Sequence, residues 1–514
     1  MSGWPPTNLD ASLLHAEEWS FLAEGGQNLL LRYTGPIASS PQQLSSSVGS
    51  PFLGEEGALA LRVKKQKLKS GKNGKPQTPQ IDSQAFQSKV IVPLLGLSDV
   101  LPASIPIELP CYETADIHAQ GHPFVEAIAR RIEESRPERR RLIDEIDPSA
   151  SLIWAVEDLT SSGHAVTASR AVPRRVLAVE IKPKWLFLPA LVEATDREVK
   201  ATFDFKKNIS RYKMHRIHRD PSLSLAEWQQ LYDPLDLASR DPARTRHALE
   251  ALWNEWRRTS DAIPTAGNES DDINGMDNGD AVASSASTQQ HMNNNLRVYL
   301  NGNFLCGEQW AELTEFLSVE LSEDHVKQAF LDLLLSHLHA SPLLERLAVC
   351  QSAADIQLLG QGWSDLERSE PVSDVGASSA APFQLKDGSS SAAATIMKEP
   401  TLQELIEAVM IAPGAQSNRA ARLLAKSHRA EILQYVVSAT FKDCSMFLRF
   451  IRNSEHDGPE CSIRLIDLDP KPVGSMYKWW KIDQEIVESF KAWVEKNRLD
   501  WDKSTTPWKL VQKT

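Results

Sequence analysis

Apolar and polar residues alternate early in the chain and switch to helical spacing further on. Residues 21–24 and 28–33 are apolar runs on either side of Gly25-Gly26, which predicts a hairpin with a glycine turn. Residues 58–63 predict a third strand, with Leu59, Leu61 and Val63 alternating against Ala58, Ala60 and Arg62. Two more short apolar strands are expected at 151–156 and 176–181. Helical spacing runs through 224–232, 244–257, 325–350 and 401–411. Residues 435–440, 444–451 and 462–468 are β-rich again, and 483–496 predict a closing amphipathic helix. Strands first, helices in the middle and an acidic hairpin late predict an α+β fold in two lobes.

Composition refines this only slightly. The 514 residues are 41% hydrophobic and 24% charged, ordinary values that exclude collagen, coiled coil and wholesale disorder. No apolar run nears the ~18 residues needed to cross a bilayer, and no secretory signal is visible at the N-terminus. No membrane association is expected. Cys111, Cys306, Cys350, Cys444 and Cys461 show no paired spacing and read as free thiols. Residues 38–50, 264–293 and 364–400 are poor in apolar residues and read as flexible insertions at surface loops.

The net charge of −12 argues against a general nucleic-acid binder, so the clusters of basic residues stand out. Residues 62–75 hold seven basic residues and no acid. Arg62 ends a strand, one strand after the glycine loop, where a kinase places a phosphate-pairing cation. The lysines that follow read as a solvated loop or a nuclear-localisation-like tract. Gly25, Gly26 and Asn28 lie where backbone N–H groups could cradle phosphate; an unliganded hairpin turn fits the same residues. In Glu180-Ile181-Lys182-Pro183-Lys184, an extended chain would hold two ammonium groups side by side, with Glu180 limiting their repulsion. Residues 206–219 carry Lys206, Lys207, Arg211, Lys213, Arg216 and Arg219 with no acid between them. Tyr212 is the one aromatic there, so a compact polyphosphate fits better than stacked RNA bases.

Asp443 and Asp467 stand 24 residues apart, each beside a predicted strand end, and Asp469 follows two residues later. Phosphoryl transfer needs one carboxylate at the attacking hydroxyl and at least one on magnesium, which favours oxygen ligands. Lys442 would support the Asp443 charge. His337, His339 and Cys350 sit on an apolar helical pattern and read as structural, not as a zinc site.

With these motifs in order, the chain resembles the inositol-pentakisphosphate 2-kinase family. The resemblance rests on EGGQNLLL at 24–31, LRVK at 61–64, EIKPKWLFLP at 180–189 and SRYKMH at 210–215. It continues through YDPLDL at 232–237, NNLRVYLNG at 294–302, ATFKDCS at 439–445 and IDLDPKP at 466–472. The match extends from about residue 20 to 490 and skips the three insertions.

The resemblance implies a kinase-like fold with a strand-rich N-lobe over 1–158 and a larger mixed α/β C-lobe over 159–514. It implies ATP and Mg2+ as cofactors and phosphorylation of the 2-hydroxyl of inositol 1,3,4,5,6-pentakisphosphate. Asp443 would be the catalytic base, and Asp467 with Asp469 would hold the metal. Arg62 would meet ATP phosphates, and Glu157 and Asp158 would mark the hinge to adenine. Arg140, Lys182, Lys184, Arg219, Asn294 and Lys471 would bind inositol phosphate. Ser475 stands where the family often has Arg, Trp479 where Tyr is common, and Arg219 where Lys is frequent. The cysteines and histidines that some members use for zinc have no evident counterpart. A monomer in the nucleus and/or cytoplasm is expected, and a non-catalytic kinase-like binder of inositol phosphates or RNA is the rival.

Overall fold

The computed structural model describes residues 6–35, 50–54, 57–68, 81–110, 122–161, 163, 175–189, 204–259, 295–354, 398–410, 428–453, 458–505, 507 and 509–512. Nearly all of insertion 38–50, insertion 264–293, most of 364–400, the lysines at 69–75, Cys111 and Asn294 lie outside these residues.

The fold is mixed α+β, with antiparallel sheets. The first sheet contains β1 (Trp19–Glu24), β2 (Asn28–Tyr33), β3 (Ala58–Lys67), β4 (Ser104–Glu108), β5 (Asp144–Ile146) and β6 (Leu152–Asp158). Its order is β1-β2-β3-β6-β4, with β5 on the far end of β3. The glycine hairpin is present as β1–β2, and Leu59, Leu61 and Val63 are fully buried as their alternation predicts. The helices α1 (Pro123–Ile132) and α2 (Glu138–Arg141) follow β4. Between β3 and β4 the chain leaves this sheet, and Phe86, Val90, Ile91 and Leu95 pack into the core of the second.

The second sheet has the order β11-β10-β7-β8-β9, from β7 (Arg175–Ile181), β8 (Leu296–Leu300), β9 (Asn303–Leu305), β10 (Ser445–Arg452) and β11 (Glu460–Ile466). Around it lie α3 (Arg211–Arg219), α4 (Pro242–Trp256), α5 (Glu323–Ala340), α6 (Leu343–Ser352), α7 (Leu402–Met410), α8 (His428–Lys442) and α9 (Met476–Lys496). A short ribbon, β12 (Leu499–Asp502) with β13 (Lys509–Gln512), closes the described chain.

Two assignments from the sequence are corrected. Residues 435–440 are not a strand but the end of α8. That helix is buried on almost every side, so it carries no amphipathic signature, and its aromatic and β-branched content imitates a strand. The helix expected over 325–350 is two helices broken at Ser341-Pro342, because proline lacks the N–H a continuing helix needs and extends the residue before it.

Candidate active site

Strand register gathers the carboxylates. The β10–β11 hairpin pairs Ser445 with Ile466, so Asp443 and Asp467 leave the sheet at the same end. The other edge of β10 pairs Met446 with Ile181, and β7 pairs Ile181 with Leu296. Lys182 and Asn295 therefore emerge beside them, and the Lys182 N–H donates to the Asn295 carbonyl at 2.9 Å. Four strand ends thus carry Lys182, Asn295, Asp443 and Asp467 to one edge of the sheet.

Lys471 Nζ lies 2.5 Å from Asp443 Oδ2. Burial alone would lower the Lys471 pKa, but Asp443, Asp467 and Asp469 together hold it above its ordinary value. Asp467 adopts a left-handed φ of 63°, a conformation that costs a non-glycine residue on the order of 1 kcal/mol and concentrates at functional sites. The thiol of Cys444, buried between these carboxylates, is pushed up first by burial and then by Asp443 and Asp467, so it stays protonated.

The first sheet reaches the same place. Arg62 on β3 pairs with Asp469. Asn28 lies against both, and with its amide oxygen turned to Arg62 it accepts from Nη2 at 2.7 Å and Nε at 3.2 Å. Asp469 Oδ1 is buried without a hydrogen bond, so this carboxylate has coordinating capacity that the protein leaves unused. Among the described residues no group of three or more His, Cys, Asp or Glu side chains could hold a metal. Gly25 N–H donates to the Asn28 carbonyl at 2.8 Å, and a Cβ added to Gly26 would meet nothing within 4 Å.

Behind the glycine loop lies a buried network that sequence reasoning missed. Lys65 is not part of a solvated loop: its Nζ sits 2.8 Å from Glu24 Oε1 and 3.1 Å from Asp144. Arg136 reaches Glu24 at 2.9 Å and Asp144 at 2.7 Å. Burial would raise the Glu24 pKa, but hydrogen bonds from Arg136 and Lys65 outweigh it and the net shift is downward. Arg140 is half-buried on the short helix α2, which begins just after Arg136.

Several other expectations change. The Lys442 ammonium donates to the Ala354 carbonyl at 2.6 Å amid the rings of Tyr435, Trp185 and Phe187. The chain is not extended through Lys184, whose φ is 57°, so two-residue alternation does not explain the lysine pair. Glu180 pairs with Arg297 on the neighbouring strand at 3.6 Å. Lys206, Arg211 and Lys213 are committed to the fold. Lys206 and Arg211 share the buried Asp483, and Lys213 lies 4.3 Å over the Trp228 ring with its pKa lowered by burial. Arg219 is exposed at the C-terminal end of α3. Glu157 faces Arg464 at 3.6 Å and Arg449 at 4.0 Å, and Asp158 pairs with Arg32 at 3.2 Å. Glu157 therefore braces the junction between the sheets, while Asp158 holds an arginine of its own sheet. Trp479 is buried against Tyr435, and Ser475 precedes α9.

The model of the inositol-pentakisphosphate 2-kinase family matches residues 21–485, which is most of the chain. The chain belongs to the inositol-pentakisphosphate 2-kinase family. It is similar to the inositol-pentakisphosphate 2-kinase of Cryptococcus neoformans, strain JEC21, with 25% identity over 492 residues, 93% of this chain and 94% of the relative. The Arabidopsis thaliana enzyme of the same name is 24% identical over 515 residues, covering 92% and 93%. A rice relative, from Oryza sativa subsp. indica, is 24% identical over 517 residues. As a member of this family the chain is an inositol-pentakisphosphate 2-kinase, a phosphotransferase. No described helix is long and apolar enough to cross a membrane.

Proposed function

We propose that the chain transfers the terminal phosphoryl group of ATP to the 2-hydroxyl of inositol 1,3,4,5,6-pentakisphosphate, giving the hexakisphosphate. The observation that carries the residue assignments is the register that brings Asp443, Asp467 and Lys182 to one sheet end. Asp443 is the catalytic base: it orients the acceptor hydroxyl and takes its proton as the new P–O bond forms. Lys471, against Asp443, supplies positive charge where an inositol phosphate would lie beside the reacting hydroxyl. Asp467 and Asp469 are the residues that would hold Mg2+, and the unused Asp469 oxygen supports the fit. When bound, the ion neutralises charge on the transferring phosphoryl group.

Arg62, Asn28, Gly25 and Gly26 face the nucleotide phosphates. Glu157 and Asp158, whose carboxylates are paired with arginines, mark the hinge to adenine. Lys182, Lys184, Arg140, Arg219 and Asn294 complete the acceptor site. Five phosphates at roughly −1.5 to −2 each need cations from dispersed segments. Two kinase-like lobes, divided at 158/159, are supported by two sheets that each have their own core, with the segment at 86–95 crossing to pack into the second.

The test is ATP-dependent conversion of the pentakisphosphate by purified protein, with and without magnesium. Regiochemistry is assigned on the product by phosphorus NMR. Binding without turnover, or a product phosphorylated elsewhere on the ring, overturns the reading.

A further inference from the structure

Gln351, near the end of α6, has an amide that is completely buried and fully used. Its Nε2 donates to the Lys184 carbonyl at 2.8 Å and to the Phe441 carbonyl at 2.9 Å. Its Oε1 accepts from the Leu186 N–H at 2.8 Å. Both amide hydrogens are spent, one on the lysine segment and one on the end of α8, two residues before Asp443. The main chain around Gln351 is tied to the same helix. Ser438 Oγ donates to the Gln351 carbonyl at 2.7 Å, and Lys442 Nζ donates to the Ala354 carbonyl. Trp185 and Phe187, stacked 5.7 Å apart, cover Lys442 from the lysine segment. Lys184 needs such a hold, because its left-handed φ is disfavoured for a side chain with a Cβ.

We propose that Gln351 is a positioning residue for phosphoryl transfer: one amide nitrogen, bonded to both carbonyls, fixes Lys184 in register with Asp443. The proposal rests on the assignment of Lys184 to the acceptor and Asp443 to the base. Gln351 touches neither substrate. It acts by holding the acceptor's cation and its base in one rigid frame, where a shift of ~1 Å is enough to cost about 10²-fold.

The experiment compares Gln351→Met and Gln351→Glu in the full chain, normalised to folded protein. Methionine fills the space but makes none of the three bonds. We expect kcat/KM for the pentakisphosphate to fall about 10²-fold while the KM for ATP stays within about twofold. Glutamate sets a carboxylate against two carbonyl oxygens. Protonation restores one donor, so its activity relative to wild type should climb as pH falls from about 8 to about 6. Equal loss for both substrates with no pH recovery, or failure of both variants to fold, assigns Gln351 to the core and overturns the proposal. Lys184→Ala and Asp443→Asn run in parallel. If they are impaired while the Gln351 variants are normal, this inference alone fails; if they are near wild type, the site assignment fails first.

Discussion

Asp443→Asn keeps the size of the side chain and one acceptor oxygen but removes the base. Its partner, Lys471 Nζ at 2.5 Å, does not become an isolated buried charge, because Asp467 and Asp469 also act on it. The loss in stability should be that of one charge-assisted hydrogen bond, about 1.5–3 kcal/mol. It should stay below the ~3–5 kcal/mol of a buried pair left with an uncompensated partner. The chemical step should suffer far more. General-base catalysis contributes roughly 10²–10⁴-fold, and at ~1.36 kcal/mol per decade that is about 2.7–5.5 kcal/mol of transition-state stabilisation. The assay is kcat with both substrates saturating, alongside ATP titration and thermal melting of the same preparation. We expect kcat to drop by at least about 10², with ATP affinity unchanged. Combining Asp443→Asn with Lys471→Met should give less than the product of the two single effects, because both act on one pair. A folded Asn variant with kcat within about threefold of wild type would refute the base assignment. Parallel loss of ATP binding would place Asp443 at the nucleotide.

Three further outcomes are expected. Asp467→Asn and Asp469→Asn should each raise the magnesium concentration needed for half-maximal rate while leaving pentakisphosphate binding intact by calorimetry; weakened acceptor binding at unchanged magnesium dependence would contradict the metal role. Lys182→Ala should raise the pentakisphosphate KM by about 10–100-fold, one charged contact of roughly 1.5–3 kcal/mol, and leave the ATP KM near wild type; equal effects on both would argue against an acceptor contact. Glu24→Gln should destabilise the fold by about 3–5 kcal/mol at neutral pH, because Lys65 and Arg136 are then left with Asp144 as their one common carboxylate and a buried cation goes uncompensated. Its pKa is lowered in the fold, so its contribution is present above the ordinary value of 4.5 and fades as pH falls through the folded value. The gap in denaturant midpoint between wild type and variant should therefore narrow below about pH 4.5; a constant gap would exclude the ionised network.

Elements whose side chains alternate between core and solvent can be read from residue order alone. The glycine hairpin, β3 with its buried Leu59, Leu61 and Val63, and the late acidic hairpin were all legible, because one buried face leaves a period in the residue types. Residue types and motif order also gave Asp443, Asp467, Asp469 and Arg62 as candidates. The helix before Asp443 was not legible, since an element buried all round has no period to read. Nor could the chain say which cations are available for ligand. Lys65, Lys206 and Lys213 look like Lys182 in one dimension, and only the fold sets Glu24, Asp483 and the Trp228 ring against them. The same holds for Gln351, which lies far in sequence from both segments it joins. A buried amide acquires its meaning from partners 90 to 167 residues away, and local pattern carries no record of them.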